Sequence, residues 1–319
     1  MKMVRYIIKR LLQSFITIML VLTIVFLLMR LLPTDYFFTE DENVKLTDEQ
    51  KEDRLRAAGY LDPPLVQLAR YVKGVLTEFD LGTSRRIQVN QPVLKVISTK
   101  FAVSMRLGLI SLGISLVAGV VLGILQARYK DGILDHVGTA YTIFVNAVPA
   151  LVSYSLILVL GARLLGLPSL YSVRKPGPSS ILPIICHSFG SIAGYMLWMR
   201  RYMVDELNKD YIRLAKLKGM STKAVMYKHV LKNAFVPLVQ YLPASILLTV
   251  GGSLLIESFF SVPGMGPLLT NAITRYDLDI VQGLVLLYAS MGIIGVLFGD
   301  VMMTLIDPRI KLTGKGGTR

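Results

Sequence analysis

Six stretches of the chain stay apolar long enough to cross a bilayer: residues 11–32, 101–125, 139–161, 181–199, 234–256 and 281–306. A helix needs about 20 such residues to traverse the hydrocarbon core, so the pattern predicts six transmembrane helices. The first stretch has the placement of a secretory signal. Its apolar run from 11 to 29 exceeds a signal core, and no small-x-small cleavage site follows. It therefore reads as an uncleaved anchor.

Two connections carry a pattern of their own. In residues 33–100, Thr47 followed by Gln50 is a capping box, and Gly59 then Pro63 mark a stop. A second helix is expected with Asp62 as N-cap and Pro63 at its first position. Leu65, Leu68, Ala69, Val72, Val75, Leu76 and Phe79 then recur at helical spacing and predict one apolar face. That face is expected to cover the outer mouth of the spans, making this region a folded lid. The second connection, residues 200–232, contains "DYIRLAKLKGMSTKAVMYKH" and reads as two short basic helices broken at Gly219. Asp210 or Asn208 is the expected cap of the first, Gly219 its left-handed stop, and Ser221 or Thr222 the cap of the second. Tyr211, Leu214, Ala215 and Lys218 are expected on one face.

Composition agrees with a membrane protein, since 53% of the 319 residues are apolar. The net charge of +14 is informative through its location. The N-terminus, residues 126–137, 200–232 and 307–319 together hold 19 basic and 6 acidic residues, whereas the other connections hold 14 of each. The positive-inside rule makes the basic side cytoplasmic, with both termini there. The basicity is thus a topology signal and calls for no nucleic acid. A helix-turn-helix reading of 210–234 fails as well, because flanking spans leave no room for a helix to enter a major groove.

Within the spans, Arg30 and Arg106 lie near the outer ends and can snorkel. Asp300 lies deeper and calls for a partner. Glycine pairs at Gly119/Gly123 and Gly295/Gly299 predict close helix crossings. Pro149, Pro183, Pro237 and Pro243 are expected to bend or end helices. The only cysteine is Cys186, and His136, His187 and His229 are scattered, so neither metal nor catalytic residues are expected. No GxxxxGK[ST] phosphate loop occurs. The single clear intramembrane carboxylate argues against an ion-coupled carrier.

The helix pair resembles the coupling loop of ABC-importer permeases, and in particular the peptide/nickel branch. The matching residues are Asp210, Tyr211, Arg213, Ala215, Lys218, Gly219, Val225, His229, Leu231, Asn233 and Ala234. "RYIIKRLLQSFITIMLVLTIVFLLMRLLP", "LVQLARYVKGVLTEFDLGTS", "ESFFSVPGMGPLLTNAITRYDLDIVQG" and "LIDPRIK" are similar to other parts of the B-type permease of oligopeptide/dipeptide importers. The resemblance implies an all-α integral membrane protein of the type I ABC importer permease fold, multi-pass in a prokaryotic plasma membrane. It divides the chain into residues 1–32 (N-terminus and first span), 33–100 (extracytoplasmic helices), 101–306 (permease core with coupling loop 200–232) and 307–319 (tail). It implies oligopeptide import, with nickel or another small solute as the alternative, and no enzymatic activity in this chain. The implied partners are a second homologous permease subunit, two cytoplasmic ATPases that bind ATP and Mg, an extracellular peptide-binding protein and membrane lipid. No cofactor is implied for the chain itself. The ATPase-coupling residues it implies are Asp210, Tyr211, Arg213, Leu214, Ala215, Lys216, Lys218, Gly219, Met220 and Ser221.

Overall fold

The computed structural model describes residues 2–31, 37, 38 and 40–306. The end of the expected first span, the exit segment beyond residue 306 and the tail 307–319 lie outside them. In chain order the helices are α1 (Lys2–Met29), α2 (Glu40–Lys45), α3 (Asp48–Ala57), α4 (Pro64–Glu78), α5 (Val93–Arg128), α6 (Ile133–Ala147), α7 (Ala150–Leu165) and α8 (Pro176–Ser179). They continue as α9 (Ile181–Leu207), α10 (Asp210–Leu217), α11 (Thr222–Val225), α12 (Leu231–Val250), α13 (Leu254–Phe259), α14 (Met265–Thr274) and α15 (Leu278–Ile306). One two-residue antiparallel pair, β1 (Thr83–Ser84) with β2 (Gln91–Pro92), closes a turn before α5.

Among the described residues, five helical stretches are long and apolar enough to cross a membrane: Ile8–Met29, Val93–Arg128, Pro176–Leu207, Thr222–Phe259 and Leu278–Met303. The third expected span is broken where the sequence places Pro149. It is two helices, α6 and α7, bent by 113°. Pro149 is the cause. Its ring drives Val148 to an extended φ −87°, ψ 129° and removes a backbone donor, so the helix ends and restarts. Pro237 and Pro243, by contrast, are carried inside a continuous α12.

Glycine sets the closest crossings. A Cβ on Gly119 would sit 2.6 Å from the Tyr195 Cβ, and one on Gly123 2.7 Å from the Met196 carbonyl, so α5 lies directly on α9. Gly295 and Gly299 do the same for α15 on α12, against Ala244 and the Gln240 carbonyl. Such contacts supply the packing that helices in lipid cannot obtain from water exclusion.

Asp300 is buried on α15 and paired: Arg10 of α1 donates to it at 2.6 Å and Gln240 of α12 at 3.2 Å. Near the other end, Glu257 of α13 is buried and accepts the Gly266 amide at 2.8 Å, while Ser104 of α5 accepts the Met265 amide at 2.8 Å. This fixes the α13–α14 hairpin to α5.

The region between α1 and α5 and the adjoining ends of the spans share one core. Phe37, Phe38 and Leu55 pack with Val93, Ile97, Leu268 and Ile280, and α5 begins within the stretch assigned by sequence to the lid. The capping box at Thr47 forms as expected. The next helix differs. Pro63 is its N-cap, and Asp62 instead receives Arg70 at 2.6 Å. Its expected apolar face is split: Leu68, Val72 and Val75 are half-buried beside an inward Gln67, while Leu65, Leu76 and Phe79 are exposed. Gln67 turns in because its Nε2 meets two otherwise unpaired carbonyls at the helix start, Tyr60 at 2.8 Å and Asp62 at 2.7 Å.

Candidate functional site

The basic loop between α9 and α12 carries a short helix, α10, docked on the bundle along one side and turned at a joint on either end. Lys209 caps α10 with extended backbone and no side-chain bond, so neither Asn208 nor Asp210 has the capping role expected of it. Asp210 is the first helical residue, and it faces Arg213 at 3.6 Å across one turn. That position still favours an acid through the helix dipole.

The far joint is a Schellman stop. The Gly219 amide donates to the Lys216 carbonyl at 2.9 Å and the Met220 amide to the Ala215 carbonyl at 3.2 Å. Gly219 has φ +81°, which glycine adopts without strain. Ser221 then caps α11, accepting the Ala224 amide. A single π turn, Met226–Val230, carries the chain from α11 into α12.

Burial divides α10 differently from the expected face. Ile212 is 0% and Ala215 8% exposed, whereas Leu214 is 53% and Leu217 84% exposed. The inward pair joins a cluster with Met199 and Met203 of α9, Val225 and Met226 beside the π turn, and Ala234 and Leu238 of α12. Leu214 and Leu217 point outward among Arg213, Lys216 and Lys218, so an apolar patch with a basic border faces away from the protein.

A polar knot secures the near end. Glu206 Oε1 accepts from the Tyr211 hydroxyl and, at 3.0 Å, from Asn233 Nδ2, which also donates to the Tyr211 hydroxyl at 2.7 Å. Partial burial, reinforced by the Glu206 carboxylate, pushes Tyr211 up to about 12, so it stays a protonated donor at neutral pH. His229 lies edge-on to the Tyr211 ring, with centroids 6.3 Å apart. One layer deeper, Arg200 of α9 grips Asp135 of α6 through two bonds of 2.5 and 2.7 Å. Glu206 and Ile212 escaped sequence reasoning. Ile212 carries the same apolar signal as Leu214, and Glu206 sits in the preceding helix with no spacing that links it to Tyr211. Among the described residues no group of three His, Cys, Asp or Glu side chains is placed to hold a metal ion.

Residues 119–312, which include this loop, match the family model described as binding-protein-dependent transport system inner membrane component. The chain is 34% identical over 313 residues to the dipeptide transport system permease protein DppB of Lactococcus lactis subsp. cremoris, covering 97% of this chain and 100% of that protein. It is 32% identical over 315 residues to the DppB of Bacillus subtilis, covering 98% and 100%. Among solved structures, an amino acid ABC transporter matches with TM-score 0.50 at 13% identity, covering 68% of this chain and 95% of that one. At that identity the likeness speaks to the fold. Matches of this extent settle the lineage: the chain belongs to the family of binding-protein-dependent transport system inner membrane components.

Proposed function

We propose that the chain is the B-type membrane-spanning subunit of an ATP-driven oligopeptide importer, and that α10 is the lever through which ATPases drive it. Relatives named as dipeptide and oligopeptide transport permeases support the substrate class. One observation carries the lever: α10 is anchored by Ile212 and Ala215, stopped rigidly at Gly219, and leaves Leu214 and Leu217 exposed among the described residues. A helix so held transmits displacement instead of absorbing it.

In this reading α10 faces the cytoplasm, with both termini on the same side of a prokaryotic plasma membrane. Leu214 and Leu217 enter a cleft on an ATPase. Arg213, Lys216 and Lys218 meet its rim, and Met220 and Ser221 shape the exit of the elbow. Tyr211 and Ala215 hold the lever to the bundle, with Asp210 at its start. ATP and Mg act on two ATPase subunits. A second permease subunit completes the pathway, and an extracellular binding protein delivers peptide. Closure of the ATPase pair drags the levers together, and the spans pass between discrete packings.

Leu217→Cys tests the contact. In a purified complex it should crosslink to an ATPase at short range, and Leu217→Glu should lose copurifying ATPase while inserting normally. Full ATPase recovery with Leu217→Glu, together with no crosslink from Leu217→Cys, would falsify the lever.

A further inference from the structure

Two helices of the bundle carry the same stripe in different chemistry. On α5, Ile110, Ile114, Val117 and Val121 recur at helical spacing, exposed and aliphatic, as contact with lipid tails requires. On α9 the same spacing sets His187, Ser191, Gly194 and Trp198 in one row, within the stretch Pro176–Leu207 that is long enough to cross the membrane. The row starts at half-buried His187, beside Ser253 and Glu257. A Cβ on Gly194 would meet nothing within 4 Å, so the middle of the row is open. At its far end Trp198 stacks on Tyr202, with centroids 5.7 Å apart, and on Tyr241 of α12 at 6.1 Å. Trp198 is nevertheless 41% and Tyr241 57% exposed.

The polar atoms of this row are unmet. His187, Ser191, Trp198, Tyr202 and Tyr241 have no side-chain hydrogen-bond partner among the described residues, and none of these polar atoms is sealed in the interior. Ser111 and Ser115 of α5 show the usual alternative, each hydroxyl donating to the carbonyl one turn back, at 2.8 and 2.5 Å. Ser191 makes no such bond. Rings alone could anchor at the edge of a bilayer. A serine at the middle of a membrane-crossing stretch, two turns from the rings, and a histidine three turns from them could not. Lipid tails neither donate nor accept hydrogen bonds, so such groups belong on a surface that meets water or solute.

We propose that this row is part of the surface over which the transported peptide passes, and that Trp198, braced by Tyr202 and Tyr241, is an aromatic platform that favours peptides bearing aromatic side chains. Ser191 and His187 lie about 10 and 16 Å along the helix from the rings and meet main-chain amides. A dipeptide spans about 7 Å when extended, so it meets these groups and the rings in succession. The identity of the solute rests on the importer reading above; the wetting of the row does not.

The test has two arms, both on the full complex. In lipid nanodiscs, with Cys186→Ala as background, Ser191→Cys and Val117→Cys are treated with a membrane-impermeant cationic methanethiosulfonate, with and without ATP, and labelling of this chain is read by mass spectrometry. Ser191→Cys should react and Val117→Cys should not. In proteoliposomes with saturating binding protein, the ratio of alanyl-phenylalanine to alanyl-alanine uptake should fall about two- to tenfold in Trp198→Ala, the scale of one aromatic pair, and recover in Trp198→Phe. Because the same binding protein serves every variant, its own preference cancels from that comparison. Ser191→Cys as unreactive as Val117→Cys would overturn the route by making the row a lipid face. An unchanged ratio in Trp198→Ala, or an equal loss of both peptides that Trp198→Phe does not repair, would overturn the platform, the second marking Trp198 as a brace between helices. A wild-type complex that imports neither peptide while Ser191→Cys reacts would overturn the peptide reading and uphold a wet route for another solute.

Discussion

Gly219 isolates the backbone contribution of the elbow. Its φ of +81° is left-handed, and a Cβ there would meet nothing within 4 Å. Substitution therefore brings no clash, only the conformational cost of the left-handed region, about 1–2 kcal/mol for an ordinary residue. What holds the elbow against that cost is the pair of Schellman hydrogen bonds from Gly219 and Met220, each worth about 0.5–1.5 kcal/mol net. The two quantities are nearly equal, so a side chain here should bring the elbow close to balance with unwound alternatives. A change of 1–2 kcal/mol shifts such a ratio by about 5–30-fold. Valine, stiff at χ1 as well, should lie at the damaging end, alanine between, and asparagine, which tolerates this region, near wild type. The assay is peptide uptake and ATP hydrolysis in proteoliposomes containing the full complex. Gly219→Val should assemble and hydrolyse ATP while losing most uptake, and Gly219→Asn should retain it. Wild-type uptake in Gly219→Val, or equal loss in Gly219→Asn, would refute the reasoning, because neither fits a cost confined to φ.

Two further outcomes concern the frame around the lever. Asp135→Asn removes one partner of a pair whose Arg200 side chain is only 27% exposed; it should cost about 2–3 kcal/mol after allowing for that exposure, seen as a lower melting midpoint of the detergent-solubilised complex. Gly299→Leu forces a side chain onto the Gln240 backbone and should destabilise the α12–α15 crossing by about 1–3 kcal/mol or more, whereas Gly113→Leu, which meets open space on α5, should leave the midpoint unchanged.

What could be read from the sequence were features set by a single residue or by length. The spans were legible because a bilayer demands a fixed apolar run. The Thr47 capping box and the Gly219 stop were legible because local backbone chemistry specifies them. The glycine pairs announced close approach, though not which helix would approach. Features decided by a distant partner were hidden. On α10, apolar residues occupy both sides, and nothing local says that Ile212 meets the bundle while Leu217 does not. On α4 the apolar stripe suggested a buried face, but Gln67 took the inward position because it satisfies two carbonyls, leaving Leu65 and Phe79 exposed. Pro149 foretold a break in the third span. The 113° angle depends on what α6 and α7 each pack against.

The same contacts indicate where the bundle can yield. α5 with α9, and α12 with α15, form two pairs joined at backbone distance by glycine, and backbone cannot re-pack without separating the helices. The seam between the pairs is unequal along its length. Towards α13 it is closed by Gly108 against the Thr249 carbonyl and by Ser104 of α5, which accepts the Met265 amide of the α13–α14 hairpin. Midway it rests on side chains, the Tyr195 and Ser245 hydroxyls at 2.5 Å and the Trp198–Tyr241 stack. At the α10 end it is the cluster of Met199, Met203 and Met226 with Val230 and Leu238. Methionine has no branch and adopts many shapes at similar energy, so such a cluster can exchange packings that glycine-stitched backbones cannot. Since α10 is inserted between α9 and α12 and buries Ile212 in that cluster, force on α10 acts first on the softest part of the seam. In the proposed mechanism, displacement there turns one pair against the other about the rigid end.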